Sequence, residues 1–264
     1  MSKLTCPQCL YTRFWKLRRE ALRCKRCRKE FRGRKFPINK IRSTVEDWRS
    51  VVRAFLLRRT IHAVVEQTGI AHCRVEKMLH HLRMLMTNDI PEPFVGLCEA
   101  DETFIGGKWT NKSRSFRKGK KAGRGHGTSK LPVVGVLSRK TGQVAVRVVE
   151  RRCEETVIGF IVSTLNKRRA ILYTDGYKMN RAVRKHGIRH FYVNHHLGEF
   201  SRGSIHTNGI EGFWGYLKRQ LVSIGGIRED RLYLFVGEIA WRYNHRRLSR
   251  TEKEQALMRL VLSD

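Results

Sequence analysis

Acidic residues are scarce in this chain. Its 264 residues include 23 Asp and Glu against 55 Lys and Arg, a formal net charge of +32. That imbalance repels itself unless a polyanion neutralises it, and nucleic acid is the first candidate because each neutralised phosphate releases counterions. Long apolar runs are missing as well. No window approaches the roughly 18 consecutive apolar residues of a membrane-spanning helix. The opening residues, MSKLTCPQC, contain no apolar core, so a secretory signal is not expected. No terminal basic amphipathic helix with aromatic anchors is evident, which sets anionic membrane below nucleic acid as a partner. A hydrophobic content of 41% is enough to bury a core, so a wholly disordered basic tail is excluded.

Seven cysteines are present, and four form two pairs: Cys6 and Cys9, then Cys24 and Cys27. Each Cys-x2-Cys can fold as a knuckle that aims two sulfurs at one point, and two knuckles make a tetrahedral four-thiolate zinc site. The intervening segment suits a short hairpin, as in a zinc ribbon. It is too polar to hold together by burial, so zinc would supply its folding energy. A disulfide pair is the alternative, and without a secretory signal it is disfavoured. Cys73, Cys98 and Cys153 are expected to be buried structural thiols. Residues 1–50 hold sixteen Lys or Arg against four acids, which suits phosphate contact.

A helical stretch follows, from Val45 to Met86. Trp48, Val51, Val52, Phe55 and Leu56 recur at helical spacing, and a second short helix is predicted over 60–67. Thr68-Gly69-Ile70-Ala71 reads as a tight turn. A third helix from His72 carries Val75, Met78, Leu79 and Leu82 on one face. Helix, Gly-containing turn, helix is the helix-turn-helix pattern. Arg74, Lys77 and Arg83 would then face a major groove, with His80 and His81 as phosphate or solvent contacts. An ordinary three-helix bundle is the plainer alternative. Pro91 and Pro93 mark a boundary.

Beyond it the pattern changes to strands at 97–105, 131–137, 144–149, 170–174 and 191–193, with helices at 156–165, 178–186 and 210–221. That order, a three-strand meander followed by strand and helix alternation, implies an α/β domain. A basic insertion at 108–130 is expected to wrap a phosphate backbone; no acid occurs between Thr103 and Val149. Within so basic a chain the acids are informative. Asp101 lies in the first strand of this region, and Asp175 sits at the carboxyl end of the fourth, where sheet folds build sites. Glu211 opens a helix, with 35 residues between it and Asp175. Lys218 lies two helical turns after Glu211 on the same face. Ile210, Trp214, Leu217 and Leu221 form the neighbouring face, suited to dock on a sheet. A further helical tail, with Leu232, Val236, Ile239 and Ala240, is expected to pack on that sheet.

The spacing of Asp101, Asp175, Glu211 and Lys218 resembles the DDE transposases of bacterial insertion sequences. Closer still are Asp101-Glu102-Thr103 with Ile105-Gly106-Gly107-Lys108, Val193-Asn194-His195 with Gly198-Glu199-Phe200, and the stretch HTNGIEGFWGYLKR at 206–219. With the four-cysteine head, these look like the Merlin-type group. The resemblance implies three parts: a zinc ribbon at 1–36, a helix-turn-helix domain at 37–92, and a ribonuclease-H-like catalytic domain at 93–264 with a C-terminal helical tail. It implies Mg²⁺ (or Mn²⁺) held by Asp101, Asp175 and Glu211, with Lys218 and Arg219 on DNA phosphate. Strand alternation does not choose among Glu99, Asp101 and Glu102; the family pattern selects Asp101. His206 or Asn208 stands close enough to share the third role.

The implied activity is that of a cytoplasmic, nucleoid-associated enzyme. It binds terminal inverted repeats, frees a 3′ hydroxyl at each element end by metal-assisted hydrolysis, and joins it to target DNA. Pairing two ends calls for a dimer or higher oligomer on duplex DNA. Two other readings are a catalytically inactive DNA-binding regulator and a structure-selective nuclease on the same fold.

Overall fold

A computed structural model describes residues 6, 11–17, 21–32, 41–107, 114–118, 130–149, 154–175, 178–192 and 206–263. The chain divides into two compact units, Met1–Met86 with Arg247–Asp264, and Thr87–Arg246.

The first unit opens with a three-stranded antiparallel sheet: β1 (Phe14–Lys16), β2 (Ala21–Cys24) and β3 (Glu30–Arg32). Helices α1 (Val45–Leu56), α2 (Ile61–Thr68) and α3 (His72–Asn88) follow. Thr44 starts α1 with a reciprocal cap: its hydroxyl accepts from the Asp47 N–H at 2.9 Å, and its own N–H donates to Asp47 Oδ2 at 2.7 Å. Gly69 ends α2 at φ +67°, the left-handed conformation that a glycine reaches without strain. The turn then leads into α3. Trp48, Val51, Val52 and Phe55 are buried with Val75, Met78, Leu79 and Leu82. Each such side chain contributes about 1.5–3 kcal/mol by leaving water.

Two expectations for α3 are corrected here. Cys73 is exposed, because the buried face begins at Val75 and runs through Met78 and Leu82. His81 is half-buried, with its ring edge-on to Trp48 at 5.8 Å, so it packs inward rather than facing solvent. The last helix, α9 (Arg250–Ser263), lies against α1; Arg53 Nε donates to Glu254 at 2.9 Å.

The second unit is built on a five-stranded sheet of order β6-β5-β4-β7-β8. Its strands are β4 (Phe94–Ile105), β5 (Leu131–Ser138), β6 (Val144–Val148), β7 (Leu165–Thr174) and β8 (Arg189–Tyr192). β4, β5 and β6 are antiparallel, whereas β7 runs parallel to both β4 and β8. Helices α4 (Arg114–Arg117), α5 (Glu154–Thr164), α6 (Lys178–Lys185), α7 (Asn208–Ile224) and α8 (Leu232–Asn244) complete it. Cys98, Ala100, Val134 and Val136 join α5 and α6 in one core, and Ile105, Val133 and Leu137 join α7 and α8 in the other. This is the helix-flanked mixed sheet expected of a ribonuclease-H-like domain.

The tail expected on the sheet is α8, and its end is tied down. The Asn244 amide accepts from the Val144 N–H at 2.8 Å and donates to the Val144 carbonyl at 2.9 Å, so it pairs with edge strand β6 as a strand would. Cys98 is buried as expected, and burial, with the adjacent Glu99 charge, pushes its thiol up to about 12. Cys9, Cys153, most of the 108–130 insertion and the 193–200 motifs lie outside the described residues.

Candidate active site and cysteine cluster

Alternation along β4 divides its acids. Odd-numbered Glu99, Asp101, Thr103 and Ile105 share the face that meets α7, while Cys98 and Ala100 point into the opposite core. Glu102 falls on that opposite side, away from α7. Glu99 is engaged by Arg139, whose Nε donates to its Oε1 at 2.6 Å. Asp101 is the acid of β4 that shares a field with the other two candidates.

Parallel pairing explains how. Glu99 of β4 lies opposite Tyr173 of β7. Two residues further along, the same register sets Asp101 beside Asp175, the exposed residue that follows β7. On the other flank Asp101 pairs with Gly135 of β5. The missing side chain at Gly135 leaves room for Trp214 of α7; a Cβ there would meet the indole at 2.6 Å. Trp214 Nε1 donates to Asp101 Oδ2 at 2.9 Å, and the Glu102 N–H donates to Oδ1 at 2.7 Å.

Glu211 is the fourth residue after the helix start at Thr207, close to the positive end of the α7 dipole. Its side chain is exposed, and Oε1 accepts from the Thr207 hydroxyl at 2.7 Å. Lys218 and Arg219 are exposed on the same helix, as is Asn208 at its first position. His206 Nδ1 sits 2.9 Å from Arg139 Nη2.

The electrostatics tie the three acids together. The Asp101 carboxyl is pushed up to about 7, first by burial, then by the Asp175 charge and, less, by that of Glu211; bonds from Glu102 and Trp214 oppose this. A buried carboxylate with two others near it is short of positive charge, and a hard divalent cation fits that donor set. The carboxylate oxygens do not all approach closely, since Glu211 is turned onto Thr207. Among the described residues, three potential ligand atoms lie within 4.8 Å of one another only at Cys6, Cys24 and Cys27.

That cysteine cluster belongs to the small sheet. Cys6 Sγ and Cys27 Sγ are 3.5 Å apart, and the Arg26 N–H donates to Cys24 Sγ at 3.4 Å. No disulfide joins them, and their sulfurs stand close enough together to share one metal ion. On α3, Lys77 is exposed and Arg74 half-buried, while Arg83 lies over the Phe55 ring at 5.4 Å.

Sequence reasoning named Glu99 only as an alternative to Asp101, and did not find Arg139, Thr207, Trp214 as a hydrogen-bond donor, or Gly135. An acid at the same strand parity as Asp101 was the available signal for Glu99. For Arg139 there was none.

The mixed five-stranded sheet flanked by helices is that of the ribonuclease-H-like class. A family model described as "ISXO2-like transposase domain" matches residues 93–244, more than half of the chain. The chain belongs to that family of insertion-sequence transposases. Among solved structures it is similar to the cryo-EM structure of a simian T-cell lymphotropic virus intasome in complex with PP2A regulatory subunit B56 gamma. That match has 13% identity and a TM-score of 0.37, over 73% of this chain and 67% of that one. Comparison with curated proteins gives no match.

Proposed function

We propose that the protein cleaves the 3′ ends of its own genetic element and joins them to target DNA, with Asp101, Asp175 and Glu211 as the catalytic residues. The observation that supports this reading is the gathering of Asp101 on β4, Asp175 just after the parallel neighbour β7 and Glu211 on the helix bonded to Asp101 through Trp214, where burial and the two other charges raise the Asp101 carboxyl. These three would hold Mg²⁺ or Mn²⁺. Such ions, when bound, activate an attacking oxygen and stabilise the leaving one in phosphodiester cleavage.

The remaining residues act around that centre. Trp214 holds Asp101 by one oxygen and leaves its position fixed by α7. Lys218 and Arg219, on the exposed side of the same helix, neutralise phosphate beside the cut. Arg74, Lys77 and Arg83 contact the duplex of the terminal repeats, and the basic insertion at 108–130 grips the backbone. Cys6, Cys9, Cys24 and Cys27 hold a structural zinc that folds residues 1–36; the helix-turn-helix spans 37–92 and the catalytic part begins at 93. Two element ends are brought together by a dimer or larger assembly in the cytoplasm, on nucleoid DNA. Among the described residues no helix is long and apolar enough to cross a membrane.

The test uses short duplexes from the flanks of the protein's own gene, with and without Mg²⁺. The expected products are a freed 3′ end and its joining to a second duplex. Cleavage without joining would make the protein a nuclease, and binding without either would make it a regulator.

A further inference from the structure

Glu99 is a buried acid that metal binding by Asp101, Asp175 and Glu211 leaves unused. It sits two residues from Asp101 on the same face of β4, with its side chain 1% exposed. Oε1 takes Arg139 Nε at 2.6 Å, and Oε2 takes the Ile210 backbone N–H at 2.9 Å. Ile210 is the third residue after the N-cap Thr207. Its N–H is one that an N-cap side chain ordinarily accepts. Thr207 does not do so; its hydroxyl donates to Glu211 instead. The cap on α7 therefore comes from the central strand, and the residue in the cap position is free to orient Glu211.

Two further features belong to the same arrangement. Gly209 lets the helix backbone come this close, since a Cβ there would stand 2.8 Å from Glu99 Oε2. Arg139 Nη2 also donates to the His206 carbonyl at 2.8 Å, and the guanidinium lies 4.9 Å from the centre of the Tyr173 ring. One cation thus holds the segment entering α7, the carboxylate that caps it and the neighbouring strand.

We infer that Glu99 and Arg139 are positioning residues that fix the start of α7 on β4, and so set where Glu211 stands relative to Asp101. This rests on the reading in which those two acids share a divalent ion. A cap supplied by Thr207 would tie the helix only to its own leading segment. A cap supplied by a strand ties it to the sheet that carries Asp101 and Asp175. Arg139 offsets the cost of a buried carboxylate and keeps its charge from adding to the repulsion at Asp101.

The test is Mn²⁺ binding to the zinc-loaded full chain, followed by electron paramagnetic resonance, with thermal unfolding recorded for each protein. The proteins are wild type, Asp175→Asn, Glu99→Gln and Gly209→Ala. Glu99→Gln and Gly209→Ala are expected to unfold cooperatively and to bind Mn²⁺ about 10–100-fold more weakly, the range seen when a partner of a metal ligand is lost. End cleavage by Glu99→Gln should recover as Mn²⁺ is raised, whereas that of Asp175→Asn should not. If Glu99→Gln fails to fold, Gly209→Ala decides, because it leaves both charges in place. Wild-type Mn²⁺ affinity in whichever of the two folds overturns the positioning role, and so does failure of both to fold, which would make the pair a folding element. Equal binding by wild type and Asp175→Asn is a different failure: it removes the metal reading itself, and this inference with it.

Discussion

Trp214 and Asp101 are joined by a 2.9 Å hydrogen bond between helix α7 and strand β4. Glu211 lies one turn before Trp214, so a single helix supplies both a candidate ligand and the group that holds another. Bonds of this kind, to a charged acceptor, are worth about 1.5–3 kcal/mol.

Trp214→Phe keeps most of the packing and removes the donor. Because this bond favours the ionised carboxyl, its loss should raise Asp101 above about 7. The acid limb of the cleavage pH profile is therefore expected to move to higher pH. A rate loss with an unmoved limb would separate Trp214 from Asp101.

The raised Asp101 carboxyl also opposes folding. Its folded value of about 7 lies above the usual 3.8, so no cost exists below the lower value. The cost grows between the two and is complete above the higher one. Asp101→Asn should accordingly raise the melting temperature of the Mg²⁺-free protein at pH 8, with the gain shrinking toward pH 4. Mg²⁺ should stabilise wild type more than the variant. Melting curves with and without Mg²⁺ at both pH values check this.

Gly135→Ala places a methyl 2.6 Å from the Trp214 ring and 3.1 Å from Ile210. It should cost about 1–3 kcal/mol of stability, as overpacking does. Gly159→Ala on α5, where nothing stands within 4 Å of the added carbon, should instead be neutral or stabilise the helix by up to about 1 kcal/mol. Denaturant titration of the two variants gives the contrast directly.

Thiol chemistry distinguishes the cysteines. Cys73 is exposed, and Cys98 is buried with its thiol pushed up to about 12. In the native zinc-loaded protein, Cys73→Ser should lower the number of thiols titrated at neutral pH by one, and Cys98→Ser should leave it unchanged. Cys24→Ser should release zinc; retention of one zinc per chain would contradict the cluster's role.

Much of this architecture is legible locally. The apolar spacing of α1 and α3, the Gly69 turn and the apolar runs of β5 and β6 all announce themselves. The front half of β7 does not. Asn166, Lys167, Arg168 and Arg169 are polar and fall outside the strand predicted at 170–174, yet they belong to the strand that begins at Leu165. The start of α7 is hidden for a related reason. Its cap, Glu99, is 111 residues away, and Arg139 is 40 residues from Glu99. Spacing can place Asp101, Asp175 and Glu211 on their elements. It cannot reveal a helix start fixed by a strand, because nothing in the local sequence encodes that contact.

The central claim is that three carboxylates act as one centre. Its most direct measurement is end cleavage and strand transfer in Mg²⁺ by wild type, Asp101→Asn, Asp175→Asn and Glu211→Gln, with duplex binding recorded on the same samples. The account predicts that all four bind the element end alike and that each variant loses both reactions by at least about 100-fold, near the size of one lost catalytic group. A variant of any of the three that cuts and joins at the wild-type rate would contradict it.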